Sequence, residues 1–334
     1  MQWKSFRKNN PLASDLHVDA ALSNLVINYM QNDNNFIASK IFPVVPVEKE
    51  SDKYYIFDKG DLNRRQMKLQ GDDDYAPRLG FRVSNDSYYC DYYSGRMPLT
   101  RRKQKQSDLE LVTPYVNFIG RQGLMERESL FATAMWGTGL WSTEYQGVAA
   151  SPSTNEFLQF NDSSSTPITI IDQLIEDVRL LSGGFRPNKM VIQPDVWQVM
   201  KNHSDYLGRI QYNGANNPAV VTEQLIATIH GLKEVHIAYG VENTAKELLT
   251  ASMANIMSTK DLWVGYVTDN PSITEPSAGY MFSWDEFDNG DGAVIRRYDD
   301  PGLGGGAEWI EGNISTDPKL TGADLGGYLD DAIA

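Results

Sequence analysis

The alternation of apolar and polar positions changes period several times along the chain. The longest helical stretch covers residues 113–136, TPYVNFIGRQGLMERESLFATAMW. Val116, Ile119, Gly120, Gly123, Leu124, Arg127, Leu130, Phe131 and Ala134 recur there at three- and four-residue steps, the helical period. Thr113 is an N-cap residue type, and Pro114 suits the first helical position, where its missing N–H costs nothing. Gly137 and Gly139 supply the stop. Such a helix is about 36 Å long. Gly120 and Gly123 each weaken it by roughly 1 kcal/mol relative to alanine, which is tolerable where something packs closely on that face. The pattern suits a strut between two parts of a molecule and an ordinary core helix of an enzyme equally well.

Before this helix, residues 1–16 are polar and read as an extended arm, and residues 18–30 carry a helical apolar pattern at Ala21, Leu22, Leu25, Val26 and Tyr29. Pro43 and Pro46 favour extended chain. Residues 53–57 and 81–99 read as strands rich in tyrosine. Between them, residues 62–80 are charged and aperiodic, the mark of a loop tip. Together they form a long hairpin-like excursion with few aliphatic residues. It needs a partner surface, either elsewhere in the chain or on another subunit.

After the helix, residues 151–167 form a Ser/Thr/Asn-rich junction. Residues 169–181 form an amphipathic helix on Ile171, Leu174, Ile175, Val178 and Leu181, stopped by Gly183-Gly184. A strand at 190–192, a helix opened by Pro194 and a helix at 222–230 follow. Strands are expected at 234–239, 262–267, 280–284 and 293–298, the last two as a hairpin about FDNGDG. Residues 301–306 read as a glycine-rich hinge and 307–314 as a last strand. The fold class is α+β.

Net charge is −14, which disfavours wrapping nucleic acid through phosphate contacts. The charge is split: residues 51–105 are basic, with Arg64, Arg65, Lys68, Arg78 and Arg82 among them, and acids dominate from residue 140 onward. One part of a molecule can thus dock on another part of its neighbour. A single cysteine, Cys90, excludes disulfides within the chain, and the first residues hold no apolar signal segment. An intracellular site of synthesis is expected.

Candidate chemistry is sparse. His17, His203, His230 and His236 show no metal-ligand spacing, and Cys90 has no CxxC partner. There is no GxSxG elbow and no P-loop. Asp72, Asp73 and Asp74, or Asp285, Asp288 and Asp291, offer oxygen donors for a hard cation, but neither set fits an EF-hand. Tyr88, Tyr89, Tyr92 and Tyr93 suit cross-strand packing better than base stacking. No catalytic, cofactor or metal residue is assigned.

The order of elements carries a resemblance. FIASKIFPVVPVEKESDKYYIFDKGD, a charged excursion closing in an aromatic strand, a long helix with MERE, then RPNKMVIQPDVW, HGLKEVHIAYG and DLWVGYV follow one another. In this the chain resembles the major capsid proteins of tailed bacteriophages, the Hong Kong 97-type fold, over nearly its whole length. The resemblance implies an N-terminal arm at 1–50, an extended E-loop at 51–105, a peripheral domain with the spine helix at 106–165 and an axial domain at 166–305. Residues 306–334 would return to the peripheral domain. It implies a non-enzymatic subunit that assembles into hexamers and pentamers around packaged double-stranded DNA, with a portal at one vertex and room for a cement protein. The absence of a long N-terminal scaffolding segment implies a separate scaffolding protein. The expected location is the virion, with assembly in the host cytoplasm. Arg64, Arg65, Lys68, Arg78, Arg127 and Glu128 are the expected intersubunit contacts. A nanocompartment shell of the same fold and a cytoplasmic hydrolase acting through Cys90 or His236 are the alternatives.

Overall fold

The computed structural model describes residues 31–72, 75–107, 110–211, 221–272, 275–288, 293–303 and 305–334. The helix expected over 18–30 lies outside the described residues, as do His17, Asp73, Asp74 and Asp291.

The spine helix runs Val112–Met135. Thr113 does not cap it. The Glu110 carboxylate accepts from the backbone N–H of Val112 at 3.0 Å and of Thr113 at 3.1 Å instead, supplying an acceptor to otherwise orphan donors. Its buried residues are Tyr115, Ile119, Gly123, Arg127, Glu128, Phe131 and Met135. All but Glu128 stand four apart. A turn takes 3.6 residues, so each four-residue step advances the stripe by about 40°. By the last turn the stripe faces nearly the opposite side. Tyr115 and Ile119 pack with Leu99 and Ile310 of one sheet. Phe131 and Met135 pack with Phe42 and with Trp263 and Tyr328 from the two middle strands of another. Of the two sequence readings, the strut is the one realised.

The first sheet is built on the long strand Ala307–Leu320. Asp91–Thr100 lies on one side of it; Gly279–Trp284 and Val294–Asp300 lie end to end on the other, and Val44–Val47 pairs parallel to Gly279–Trp284. Residues 280–284 and 294–300 each pair with the long strand. Of the hairpin expected about FDNGDG, the described residues show one antiparallel bridge, Asp288 to Ala293, and both of these residues meet the spine helix. Arg127 Nη2 donates to Asp288 Oδ1 at 2.5 Å and Oδ2 at 2.7 Å, with both side chains buried. Ala293 meets the helix at Gly123, where a Cβ would stand 2.8 Å from its own. Gly312 of the long strand gives the same close approach to Ile119, 2.1 Å from where its Cβ would be.

The second sheet has six strands in the order Glu156–Leu158, Thr143–Val148, Gly326–Asp330, Leu262–Gly265, Lys189–Ile192 and Glu234–Ile237. Ile168, Ile171, Leu174 and Ile175 of the helix Pro167–Leu181 cover it, over Met190, Ile192, Val264 and Leu329. The sheet draws strands from both sides of the expected boundary at residues 165/166. Of residues 306–334, the long strand packs on the spine helix at Ile119 and the tail joins this sheet. Its third strand comes from the tail, because the chain leaves the first sheet at Leu320 and enters this one at Gly326.

Two stability outcomes follow from the helix packing. Gly123→Ala is expected to destabilise the subunit by about 1–3 kcal/mol through overpacking, whereas Gly120→Ala, with nothing within 4 Å of its Cβ, gains about 1 kcal/mol. Denaturant midpoints of the two variants check the opposite signs. Asp288→Ala strands a buried guanidinium and is expected to cost about 3–5 kcal/mol. Replacing both partners, Arg127→Met with Asp288→Leu, costs less than that single change by the same measurement.

Candidate functional site

The excursion is a two-stranded ribbon, Ser51–Phe57 against Val83–Tyr89, rooted where Cys90 N donates to Glu50 O at 2.8 Å. The strand expected over 81–99 is thus broken at Cys90, and its second half belongs to the first sheet. The register separates two faces. Tyr54 and Tyr88 lie on one and stack on Phe282, with ring centroids 5.6 Å and 4.5 Å away. The other face carries Tyr55 opposite Asn85, Phe57 opposite Val83 and Tyr89 opposite Ser51. Tyr55 is 65% exposed there, and Phe81, beside Phe57, 56%. Toward the tip, Met67 is 84% exposed and Tyr75 fully so. An uncovered face of this kind on a two-stranded ribbon, marginal by itself in water, is the mark of an interaction surface.

The expected contact residues fall into three groups. Arg65, Lys68 and Arg78 are exposed on the excursion, in position to meet another surface. Arg64 is exposed too, but lies 3.7 Å from Asp61 of the same loop. Arg82 likewise pairs with Asp61 at 2.8 Å and Asp58 at 2.9 Å, so part of the loop's basic charge is neutralised within it. Lys59 reaches the chain's own body, donating to Leu181 O at 2.9 Å and pairing with Asp324. Arg127 and Glu128 form the third group, and for them the expectation is corrected. Both are 1% exposed and hold the subunit's interior together. The motif is polar, but Arg127 stands on the four-residue stripe, and Glu128, one residue off it, meets the arm at Ile37 and Ala38.

The remaining polar clusters are internal. His230 Nδ1 lies 2.6 Å from Asp172 Oδ1, and its Nε2 lies 2.9 Å from the Tyr206 hydroxyl. Burial lowers the His230 pKa. The neutral ring donates to the carboxylate and accepts from the phenol, so both nitrogens are satisfied. Tyr206 is wholly buried and meets no solvent. Cys90 is wholly buried as well, and burial pushes its thiol up to about 12, which leaves no thiolate for attack at neutral pH. His236 bonds Glu234 at 3.1 Å. Of the two acidic sets singled out in the sequence, Asp288 is engaged by Arg127. A trio not legible in the sequence, Asp261, Asp330 and Asp331, brings carboxylate oxygens within 4.8 Å of one another. Asp261 there accepts from the Tyr328 hydroxyl at 2.7 Å and the Asp331 N–H at 3.1 Å. Residues 70 apart meet only because the strands carrying them are neighbours in the second sheet.

No family model matches the chain. It is 26% identical over 319 residues to the major capsid protein of Burkholderia phage BcepMu, covering 93% of this chain and 95% of that one. Among solved structures it superimposes on a phage-related protein of Bordetella bronchiseptica RB50 with a TM-score of 0.67 and 21% identity, over 91% and 94% of the two chains. The capsid of cyanophage P-SCSP1u matches with a TM-score of 0.60 at 10% identity, over 96% and 95%. The likeness extends over nearly the full length of these chains, and this chain has the Hong Kong 97-type fold of the tailed-bacteriophage capsid proteins.

Proposed function

We propose that this chain is the major capsid protein of a tailed bacteriophage, self-assembling into the hexamers and pentamers of an icosahedral shell that encloses double-stranded DNA. The observation that carries the reading is similarity to a phage major capsid protein along 93% of the chain. The excursion supports it, since a ribbon with one face on its own body and an aromatic face in solvent suits a lattice of repeated contacts. In this reading residues 51–89 reach a neighbouring subunit, the aromatic face forms the contact and Arg65, Lys68 and Arg78 form its charged rim, the arrangement usual at protein interfaces. In this reading a portal occupies one vertex of the shell. The acidic wall encloses DNA without reading its sequence. The role is structural in this reading, which the wholly buried Cys90 thiol, with its pKa pushed up to about 12, supports.

Electron microscopy of the expressed chain, alone and with phage lysate, is expected to show closed shells, and shells from infected cells are expected to hold DNA. A protein that sediments as a monomer under every condition, or shells filled with a protein cargo, would overturn the reading. Within it, Arg65→Glu/Lys68→Glu is expected to leave the circular dichroism spectrum unchanged, lower particle yield several-fold and remove part of its salt dependence. Tyr55→Glu is expected to lower yield further, because it places a charge in the apolar part of the contact.

A further inference from the structure

The root of the N-terminal arm crosses the spine helix and is held at successive points. The Gln31 side chain donates to Val241 O at 2.7 Å and accepts from Val241 N–H at 3.3 Å. Arg121 pairs with Asp33 at 3.0 Å. The short helix Ala38–Ile41 is gripped at both ends. At its start, Glu128 Oε2 accepts from the N–H of Ile37 at 3.0 Å and of Ala38 at 2.8 Å. Near its end, buried Lys189 donates from Nζ to Lys40 O at 2.6 Å. An acceptor at the N-terminus and a cation near the C-terminus suit the helix dipole.

The grip at Glu128 is unusual in kind. Its carboxylate is buried and is met by backbone N–H groups. The nearest cation on its own helix, Arg127, is engaged by Asp288. Lys40 of the arm turns its Nζ to Asn34 O at 2.8 Å. Lys189, on the strand Lys189–Ile192, serves Lys40 O and lies 3.7 Å from Glu234. Glu234 and His236, on the adjoining strand, bond each other. Glu242 lies on the hairpin that Gln31 touches. Both hydrogen bonds end on one oxygen, Oε2, so a proton on Oε1 leaves them in place and removes the cost of burying charge.

We propose that docking of the arm root, residues 31–42, on the spine helix is coupled to proton uptake by Glu128, so that the arm is held more tightly in mild acid than in mild alkali. Burial pushes the Glu128 carboxyl up to about 7, against the opposing pull of the Ile37 and Ala38 N–H groups and Lys40. With the arm lifted, the group is solvated and returns to the ordinary carboxylate range. Above about pH 7 the docked state bears the full cost of a buried charge. Below the ordinary range both states are protonated and the cost is gone. Between the two, the docked state takes up a proton, so docking weakens as pH rises through that window. The arm precedes the ribbon in the chain, so proton uptake would firm the excursion's root as well.

Hydrogen exchange of the full chain tests this. After correction for intrinsic exchange, protection of the Ile37 and Ala38 amides is expected to be roughly 10–30-fold greater at pH 5.5 than at pH 8. Amides of the helix Pro167–Leu181 serve as the reference and are expected to change little. Glu128→Gln, a neutral acceptor of the same shape, is expected to make arm protection independent of pH and near the acid value of the unaltered chain. Equal or greater protection at pH 8 in the unaltered chain, a change shared by the reference helix, or persistence of the pH dependence in Glu128→Gln would each overturn the proposal. The first two outcomes need no variant, and none depends on whether shells form.

Discussion

The structure depends on one geometric mismatch. The spine helix buries every fourth residue from Tyr115 to Met135, while a helical turn takes 3.6. The buried stripe therefore winds round the helix, and one rigid rod faces one sheet at its start and another cluster at its end. A stripe held to an average of 3.6 residues would have served a single sheet. In the first half, Gly123 lets Ala293 close on the helix, and Gly312 lets the Ile119 side chain close on the long strand. In the second half Phe131 and Met135 enter the aromatic cluster of Phe42, Trp263 and Tyr328. The link between the two sheets is thus packed along its length, which suits a subunit that must transmit load.

At the middle of the stripe the winding brings charge indoors. Arg127 pins the segment at Asp288, and Glu128 pins the arm at Ile37 and Ala38. Buried ion pairs add little net stability over apolar replacements of similar volume, yet losing one partner is costly. Their effect here is positional. An apolar contact tolerates sliding by a residue, whereas a guanidinium on a carboxylate or a carboxylate on two N–H groups does not. The two neighbouring residues fix the register of two distant segments against the same helix turn.

The excursion shows the complementary solution. Its inner face stacks on Phe282, its tip is tied down through Lys59, and several of its charges are paired within the loop. The ribbon is held in one pose before it meets anything. In the proposed contact its aromatic outer face adds area with little further loss of side-chain freedom, since tyrosine and phenylalanine have few rotatable bonds. The charged tip contributes less per pair, because exposed ion pairs yield about 0–1 kcal/mol each.

The sequence by itself determined the elements whose signal is local. The spine helix, the helix Pro167–Leu181 with its glycine stop, the strand Lys189–Ile192 and the first ribbon strand stand within a few residues of where periodicity and caps put them, whereas the second ribbon strand ends at Tyr89, ten residues short of the expected end. Their order also made the resemblance to tailed-phage capsid proteins legible, because order along a chain survives when identity does not. Tertiary structure alone decided what depends on distant partners. FDNGDG reads as the turn of a two-stranded hairpin, yet Gly279–Trp284 and Val294–Asp300 both pair with the long strand, and only the bridge Asp288 to Ala293 joins the two segments to each other among the described residues. The tail residues Gly326–Asp330 carry too few apolar side chains to announce a strand, yet they fill the middle of the second sheet. Arg127 and Glu128 read as a surface pair because charge is usually solvated. Their burial follows from what packs on that turn of the helix, the Asp288 segment on Arg127 and the arm on Glu128, and neither neighbour is local in sequence.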